Sequence, residues 1–197
     1  MRVRRGEAAD VTPAAETLAA AFAGYAWTNW TVAADDQEAR LRHSFELILR
    51  HAILPFAELW VADDCASTAV WLPPGSDSAV WPAFDEIASE LRELAGDRAD
   101  AGEAAEAETS RLRLREPHWF LVAMGTRPAR QRQGLGTALL RPVLEQADVA
   151  QLETTSPENL EFYATLGFEV VDELRIFGGG PHVWSMVRRR ARRAATV

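Results

Sequence analysis

The residues Gln131-Arg132-Gln133-Gly134-Leu135-Gly136-Thr137 lie between an apolar run, Trp119 to Met124, and a helical pattern that begins at Leu135. At the start of a helix the backbone N–H groups have no intrahelical partner, and the helix dipole adds positive potential there. Such an end binds a phosphate or pyrophosphate without a lysine. Glycines at 134 and 136 let an anion approach the backbone closely. The chemistry offered is anion binding, and the segment is a candidate cofactor cradle.

Spacing separates the kinds of anion site. A P-loop needs a lysine after its last glycine, and this chain contains no lysine. A dinucleotide fingerprint needs a third small residue where Leu139 stands, although Glu153 lies near the place of the ribose carboxylate. A purely structural strand-to-helix turn is the plainest alternative. What remains is the pattern Gln/Arg-x-x-Gly-x-Gly/Ala, satisfied by Gln131, Gly134 and Gly136.

A second group follows. Ser156-Pro157 starts a helix on which Asn159 and Tyr163 are four residues apart, hence on one face. An amide and a phenol therefore line the same wall. Taken alone, Tyr163 also suits packing.

The elements that must hold these groups follow from periodicity. Thr12-Pro13 reads as a helix start and Gly24 as its end; Asp36 to Ile53 and Val80 to Ala95 carry helical spacing, and an Ala/Glu-rich helix follows to Leu114. Glu58 to Ala62 and Ala66 to Leu72 read as a hairpin across Asp63-Asp64. Trp119 to Met124 is a central strand covered on both faces, and Val149 to Thr154 is a second strand. Pro157 to Leu166 is a short helix closed by Gly167, and Phe168 to Phe177 with Val183 to Arg188 form a final hairpin. The order predicts an α/β fold with a mixed sheet. Tyr25, Trp27 and Trp30, in the connector after the first helix, are either core contacts or the wall of an apolar pocket.

Bulk properties narrow the function. A chain of 197 residues suits one domain, here residues 1–190, followed by a basic tail at 191–197. The formal net charge of −8 disfavours nucleic-acid binding and suits a cationic small substrate. No run is long enough to span a membrane, and Glu7 and Asp10 interrupt any signal peptide. The single Cys65 reads as a buried apolar residue, which points to a reducing, cytoplasmic setting. The four histidines show no metal-ligand spacing, so no metal is expected. His118 stands apart from the others because it begins the central strand.

Gln131-x-x-Gly134-x-Gly136 with Asn159-x-x-Phe162-Tyr163-x-x-x-Gly167-Phe168 resembles the paired signatures of the GCN5-related N-acetyltransferase (GNAT) superfamily. More narrowly, Leu59-Trp-Val-Ala-Asp-Asp64, Glu116-Pro117-x-Trp119-Phe120-Leu121 and Leu152-Glu153-Thr154 are similar to puromycin N-acetyltransferase-like proteins. The resemblance implies a mixed, mostly antiparallel sheet flanked by helices, with one strand pair splayed at a bulge. It implies acetyl transfer from acetyl-CoA to the amine of a small molecule, an aminonucleoside or antibiotic among the candidates, by a monomer or homodimer. Met124, Gly125 and Thr126 would then contact the thioester and pantetheine through their backbones. Gln131, Arg132, Gln133, Gly134, Leu135, Gly136 and Thr137 would wrap the pyrophosphate, and Asn159 with Phe162 would border the pantetheine arm. Tyr163 would be the general acid. Glu153 would be either the base or a structural, substrate-orienting group. Tyr25, Trp27, Trp30 and Trp119 would face the acceptor. Thr126 stands where relatives usually carry valine, and the Tyr25 to Thr31 connector departs further. A non-catalytic CoA-binding protein and a protein N-terminal acetyltransferase are the alternative readings.

Overall fold

The computed structural model describes residues 1–190. The basic tail at 191–197 lies outside the described residues. Seven strands form one sheet in the order β1-β2-β3-β4-β5-β7-β6. These are β1 (Val3–Arg5), β2 (Glu58–Ala62), β3 (Ser67–Leu72), β4 (Trp119–Thr126), β5 (Val149–Thr154), β6 (Glu169–Arg175) and β7 (His182–Arg189). Only β4 and β5 run parallel.

Helices cover both faces. On one, α1 (Val11–Phe22) and α5 (Asp77–Ala95) pack with the segment 48–53 against Leu59, Val70, Phe120 and Ala123. On the other, α7 (Leu135–Leu144) and α8 (Pro157–Thr165) pack against Trp71, Leu121, Leu152 and Met186. Leu135, Leu139, Leu140, Val143 and Leu144 of α7 are buried. At about 1.5–3 kcal/mol per side chain, that stripe holds the start of α7 rigidly on the sheet. A third cluster joins α6 (Ala99–Thr109) to the β6–β7 hairpin.

Several boundaries differ from the periodicity. The first helix starts at Val11, one residue before Thr12, because Asp10 accepts the Glu7 N–H and caps the preceding turn. The Tyr25 to Thr31 connector contains α2 (Ala26–Thr31). The 36–53 helix is α3 (Gln37–Leu47), a π-helical stretch (Ile48–Ile53) and the short α4 (Leu54–Phe56). The π stretch widens the helix where Leu49, Ala52 and Ile53 are buried, a packing demand invisible in a 3.6-residue repeat. Strand β1 was hidden in the charged N-terminus. It is too short to announce itself and exists by pairing with β2.

Candidate active site

The site is made by one extra residue in β4. Val70 pairs with Ala123 and Trp71 with Leu121, so Val122 is left unpaired as a bulge. A bulge shifts the alternation of side chains by one. Phe120 therefore faces α1 and α5, Leu121 faces α7 and α8, and beyond Val122 the order resumes with Ala123 toward α1. The parallel pairing with β5 stops at the same place: Trp119, Phe120 and Leu121 pair with Ala150, Gln151 and Leu152, and no pairing follows. Val122 to Thr126 and Glu153 to Thr154 border an open slot, while β5 continues to pair with β7 on its other side.

Backbone groups of β4 point into that slot. The Arg127 N–H donates to Ala66 O on the β3 side at 2.9 Å, and strand alternation turns Thr126 and Met124 the other way. The Thr126 carbonyl accordingly accepts from Gln131 Nε2 at 3.3 Å, leaving the Met124 N–H as a donor at the slot. The Gly125 backbone turns toward β3, where its carbonyl accepts from Ser67 Oγ at 3.1 Å. A Cβ on Gly125 would stand 2.7 Å from Ala21 Cβ, so this glycine lets α1 approach β4. Its place is in the packing behind the slot.

The turn into α7 has the form expected of an anion cradle. No N–H from Arg132 to Thr137 has a hydrogen-bond partner among the described residues. Gly134 is the N-cap at φ 78° and Arg132 is also left-handed at φ 59°. The Arg130 Nε–H donates to Gln133 Oε1 at 3.0 Å and its Nη2 to Asp63 at 3.2 Å, which ties the turn to the β2–β3 corner. The rings and side chains of Phe162 and Met124 stand beside Gly136, 3.4 and 3.6 Å from where a Cβ would lie. Phe162 thus brings α8 against the cradle.

Asn159, Thr154 and Tyr25 form one hydrogen-bonded group at the end of β5. Asn159 Nδ2 donates to Thr154 Oγ1 at 3.3 Å, and Tyr25 Oη lies 2.8 Å from the same oxygen. The Thr155 N–H donates to Tyr25 Oη at 2.8 Å. Thr154 is the hub that spacing did not single out. Tyr163 is buried among the α7–α8 layer, with ring centroids 5.1 Å from Phe162 and 5.9 Å from Phe168. No protein group among the described residues hydrogen-bonds its hydroxyl, and burial, with a smaller contribution from Tyr25, holds the phenol well above its ordinary pKa.

Glu153 occupies the opposite face. Leu152 belongs to the α7–α8 layer, so its neighbour in the strand points the other way. There Arg113 Nε–H donates to Glu153 Oε1 at 3.2 Å. The Arg113 guanidinium also lies 3.5 Å from the Phe120 ring centroid and 5.7 Å from that of Trp81. Burial raises the Glu153 carboxyl to about 7; Arg113 opposes the shift and Glu106 of α6 adds to it. Arg113 and Glu106 carry no motif signal, since they sit 40 and 47 positions before Glu153 and meet it only in three dimensions.

The other residues expected to face the acceptor pack against the core and stay partly exposed. Trp119 lies at the closed, paired end of β4 and meets Trp71 edge-on at 6.4 Å. Trp27 and Trp30 pack against the cluster of Ala105, Leu112, Leu174, Ile176 and Val183, because α2 turns them onto α6 and the β6–β7 hairpin. A cavity of about 340 Å³ lined by Trp81, Arg113, His118 and Phe120 adjoins the Glu153 side. A larger one of about 480 Å³ at the α5–α6 corner shares no residue with the slot and is edged by the paired charges Arg92 and Asp100. Cys65 is buried, and burial pushes its thiol up to about 12, so it is inert.

Residues 94–170 match the family model of the acetyltransferase (GNAT) domain. The chain has the GNAT fold. The matched stretch contains β4, the cradle, β5 and α8 and leaves β1–β3 and β7 outside it. Across the whole sheet the GNAT likeness is structural. A Corynebacterium glutamicum protein, histone acetyltransferase HPA2 and related acetyltransferase, is 25% identical over 99% of this chain and 98% of its own, with a TM-score of 0.72. Drosophila melanogaster polyamine N-acetyltransferase aligns over 96% and 99% at 18% identity and a TM-score of 0.56. The Escherichia coli ribosomal-protein-S18-alanine N-acetyltransferase aligns over 100% and 97% at 14% identity and a TM-score of 0.56. The GNAT fold therefore carries small-molecule and protein acceptors alike. No group of metal-ligating side chains occurs among the described residues, and no helix among them is long and apolar enough to cross a membrane.

The raised Glu153 carboxyl has a consequence for stability. A carboxyl whose folded pKa lies above its unfolded value stabilises the fold below the unfolded pKa, and that contribution is lost as pH rises through the folded value. For a shift from 4.5 to about 7, ionised Glu153 costs on the order of 3 kcal/mol above neutrality. Glu153→Gln is expected to gain several degrees in Tm relative to the wild type between pH 5 and pH 8.5, read by calorimetry. A difference that stays constant with pH would mean that Glu153 is not held protonated by burial.

Proposed function

We propose that the protein transfers acetyl from acetyl-CoA to the primary amine of a small molecule. The observation that carries this reading is the slot itself: a proton donor on one face, a carboxylate on the other, and a row of unpartnered N–H groups at its end. The fit to acetyl-CoA rests on that row from Arg132 to Thr137 and on the unpaired edges of β4 and β5. The cradle takes the pyrophosphate, the slot takes the pantetheine arm, and Asn159 and Phe162 border it. Bound acetyl-CoA supplies a thioester whose C–S bond breaks as the C–N bond to the amine forms.

The chain's own groups do the rest. The carboxylate of Glu153 takes a proton from the incoming ammonium, which frees the nitrogen lone pair for attack. With a pKa of about 7, Glu153 is half ionised near neutrality and matched to that task. The Met124 N–H is placed to meet charge developing on the acetyl oxygen. Tyr163 gives its proton to the departing sulfur, and the second N–H proton, shed as the new C–N bond becomes an amide, restores the phenol or passes to solvent. Its raised pKa keeps the phenol protonated at every working pH, and the same poorly solvated slot raises the thiol pKa as well, so the transfer is not made steeply uphill. Holding amine and thioester together in one slot supplies much of the acceleration.

The test is thiol release from acetyl-CoA across an amine panel that includes puromycin, toward which the sequence resemblance points, and with it an antibiotic-resistance role. Free CoA is expected in the presence of an accepted amine, with kcat/KM rising as pH passes through about 7. Tight CoA binding with no release to any amine or peptide would make the protein a CoA-binding module instead. Release to peptide N-termini alone would make it a protein acetyltransferase. The inert buried thiol of Cys65 suits a reducing cytoplasm.

A further inference from the structure

Among the described residues Glu153 is hydrogen-bonded through one oxygen alone: Arg113 Nε–H donates to Oε1 at 3.2 Å, and Oε2 has no partner. Oε2 is not sealed off, since the fully buried side-chain polar atoms without a partner among the described residues are those of Trp30, Thr68, Trp71 and Thr155. The carboxyl is therefore anchored at one oxygen and open at the other. Arg113 is itself tightly held. Its guanidinium lies 3.5 Å from the Phe120 ring centroid, and Phe120 stands opposite Gln151 in the parallel β4–β5 register. Gln151 is fully buried and sits two residues before Glu153, on the same face of β5. Its Nε2 donates to Leu112 O at 2.6 Å and to Ser185 Oγ at 2.9 Å, and its Oε1 accepts the Leu114 N–H at 3.0 Å. The amide thus grips the backbone on both sides of Arg113, as the backbone of a neighbouring strand would, and only one amide orientation satisfies both bonds. Arg113 is extended there, at φ −67° and ψ 133°, although it belongs to no strand of the sheet.

We propose that Arg113 is a positioning residue: clamped by Gln151 and stacked on Phe120, it fixes Glu153 by Oε1 so that Oε2 is the atom that meets the acceptor amine. The inference rests on the acetyltransferase reading. The ammonium gives one N–H proton to Oε2 and keeps the electron pair for the new C–N bond, while Arg113 stays protonated and bonded to Oε1 throughout. The terminal torsion of a glutamate is broad, and a carboxylate free at both oxygens would rotate about it. The bond from Arg113 removes that freedom. The Arg113 charge also opposes burial and the Glu106 charge of α6, which together raise the Glu153 carboxyl. Beside Glu153, Val122 of β4 and Ser185 of β7 are uncharged, and the Tyr25 phenol of the α1–α2 corner is bonded to Thr154.

A double-mutant cycle of Arg113→Gln and Glu153→Gln tests this. In the wild-type background Arg113→Gln is expected to lower kcat/KM at neutral pH about ten- to hundredfold. With Glu153→Gln already present it is expected to cost less than about twofold, because a residue that acts through another adds nothing once that other is gone. The acidic limb of kcat/KM is expected to rise by about one pH unit or more as the carboxyl loses an adjacent cation, with the Kd for acetyl-CoA unchanged. The side-chain carboxyl carbon NMR resonance of Glu153, identified by its loss in Glu153→Gln, reads the same shift without turnover. Arg113→Lys keeps a cation there and is expected to hold that midpoint near the wild-type value while restoring only part of kcat, since lysine lacks the planar fork that stacks on Phe120. The lysine variant also carries the cycle should glutamine cost the fold. A midpoint raised in Arg113→Gln, with no amine acetylated by the wild type, leaves Arg113 fixing the carboxyl and overturns only the acetyltransferase reading. Additive losses in the cycle, or a midpoint unmoved by Arg113→Gln, overturn the role of Arg113.

Discussion

Replacing Tyr163 by Phe is expected to lower turnover by roughly ten- to a thousandfold, the range over which general acids contribute. The change removes one oxygen and leaves the ring that packs between Phe162 and Phe168, so the α7–α8 layer keeps its shape. The hydroxyl has no protein hydrogen bond among the described residues to lose, and its removal leaves no buried partner unsatisfied. Stability and acetyl-CoA affinity should therefore stay close to wild type while kcat falls. Single-turnover measurement with a saturating amine separates this from slow product release. If the chemical step keeps its wild-type rate constant, Tyr163 is a packing residue and the sulfur takes its proton from solvent or from the amine.

Gly134→Glu is expected to weaken acetyl-CoA binding by at least about a hundredfold, since it sets a carboxylate among N–H groups that favour an anion and repels the pyrophosphate. Among the described residues, and apart from its own chain neighbours, Met1 Cε at 3.9 Å is the only atom within 4 Å of a Cβ at this position, so no collision accompanies the change. Left-handed backbone does: φ is 78°, and a non-glycine residue there costs about 1–2 kcal/mol. Gly134→Ala is the control that carries the strain without the charge. Alanine is expected to lower Tm by a few degrees with modest loss of affinity, and glutamate to add the large loss. If equilibrium binding shows glutamate and alanine alike, the pyrophosphate does not sit on this turn.

The cradle and the wall of α8 were legible because both are local. Gly134, the unpaired N–H groups of a first helical turn, and Asn159 four residues before Tyr163 express short-range geometry, which residue types alone specify. The strands β4 and β5 were legible from apolar runs, though β4 extends two residues further, to Thr126, where Gly125 and Thr126 carry little strand signal. The aromatic residues of the α1–α2 region were not. Trp27 and Trp30 look alike in a pocket wall and in a core, and only the meeting of α2 with α6 decides between them. A resemblance implied a splayed strand pair; that Val122 is the extra residue needed the register with β3, because an apolar run reads the same with or without a bulge.

Electrostatics was the least legible part. Glu153 looks like any strand carboxylate until Arg113 and Glu106 arrive beside it from a distant helix and its connector, and burial sets its proton affinity. The bulge at Val122 and the alternation of β5 then place that carboxylate and the Tyr163 phenol on opposite faces of one slot. Hydrogen-bonding capacity at a helix start follows from nearest neighbours along the chain, so the row of unpartnered N–H groups before α7 could be read from residue types alone. Desolvation and charge coupling depend on what folds alongside, so the proton affinities of Glu153 and Tyr163 took their character from tertiary packing.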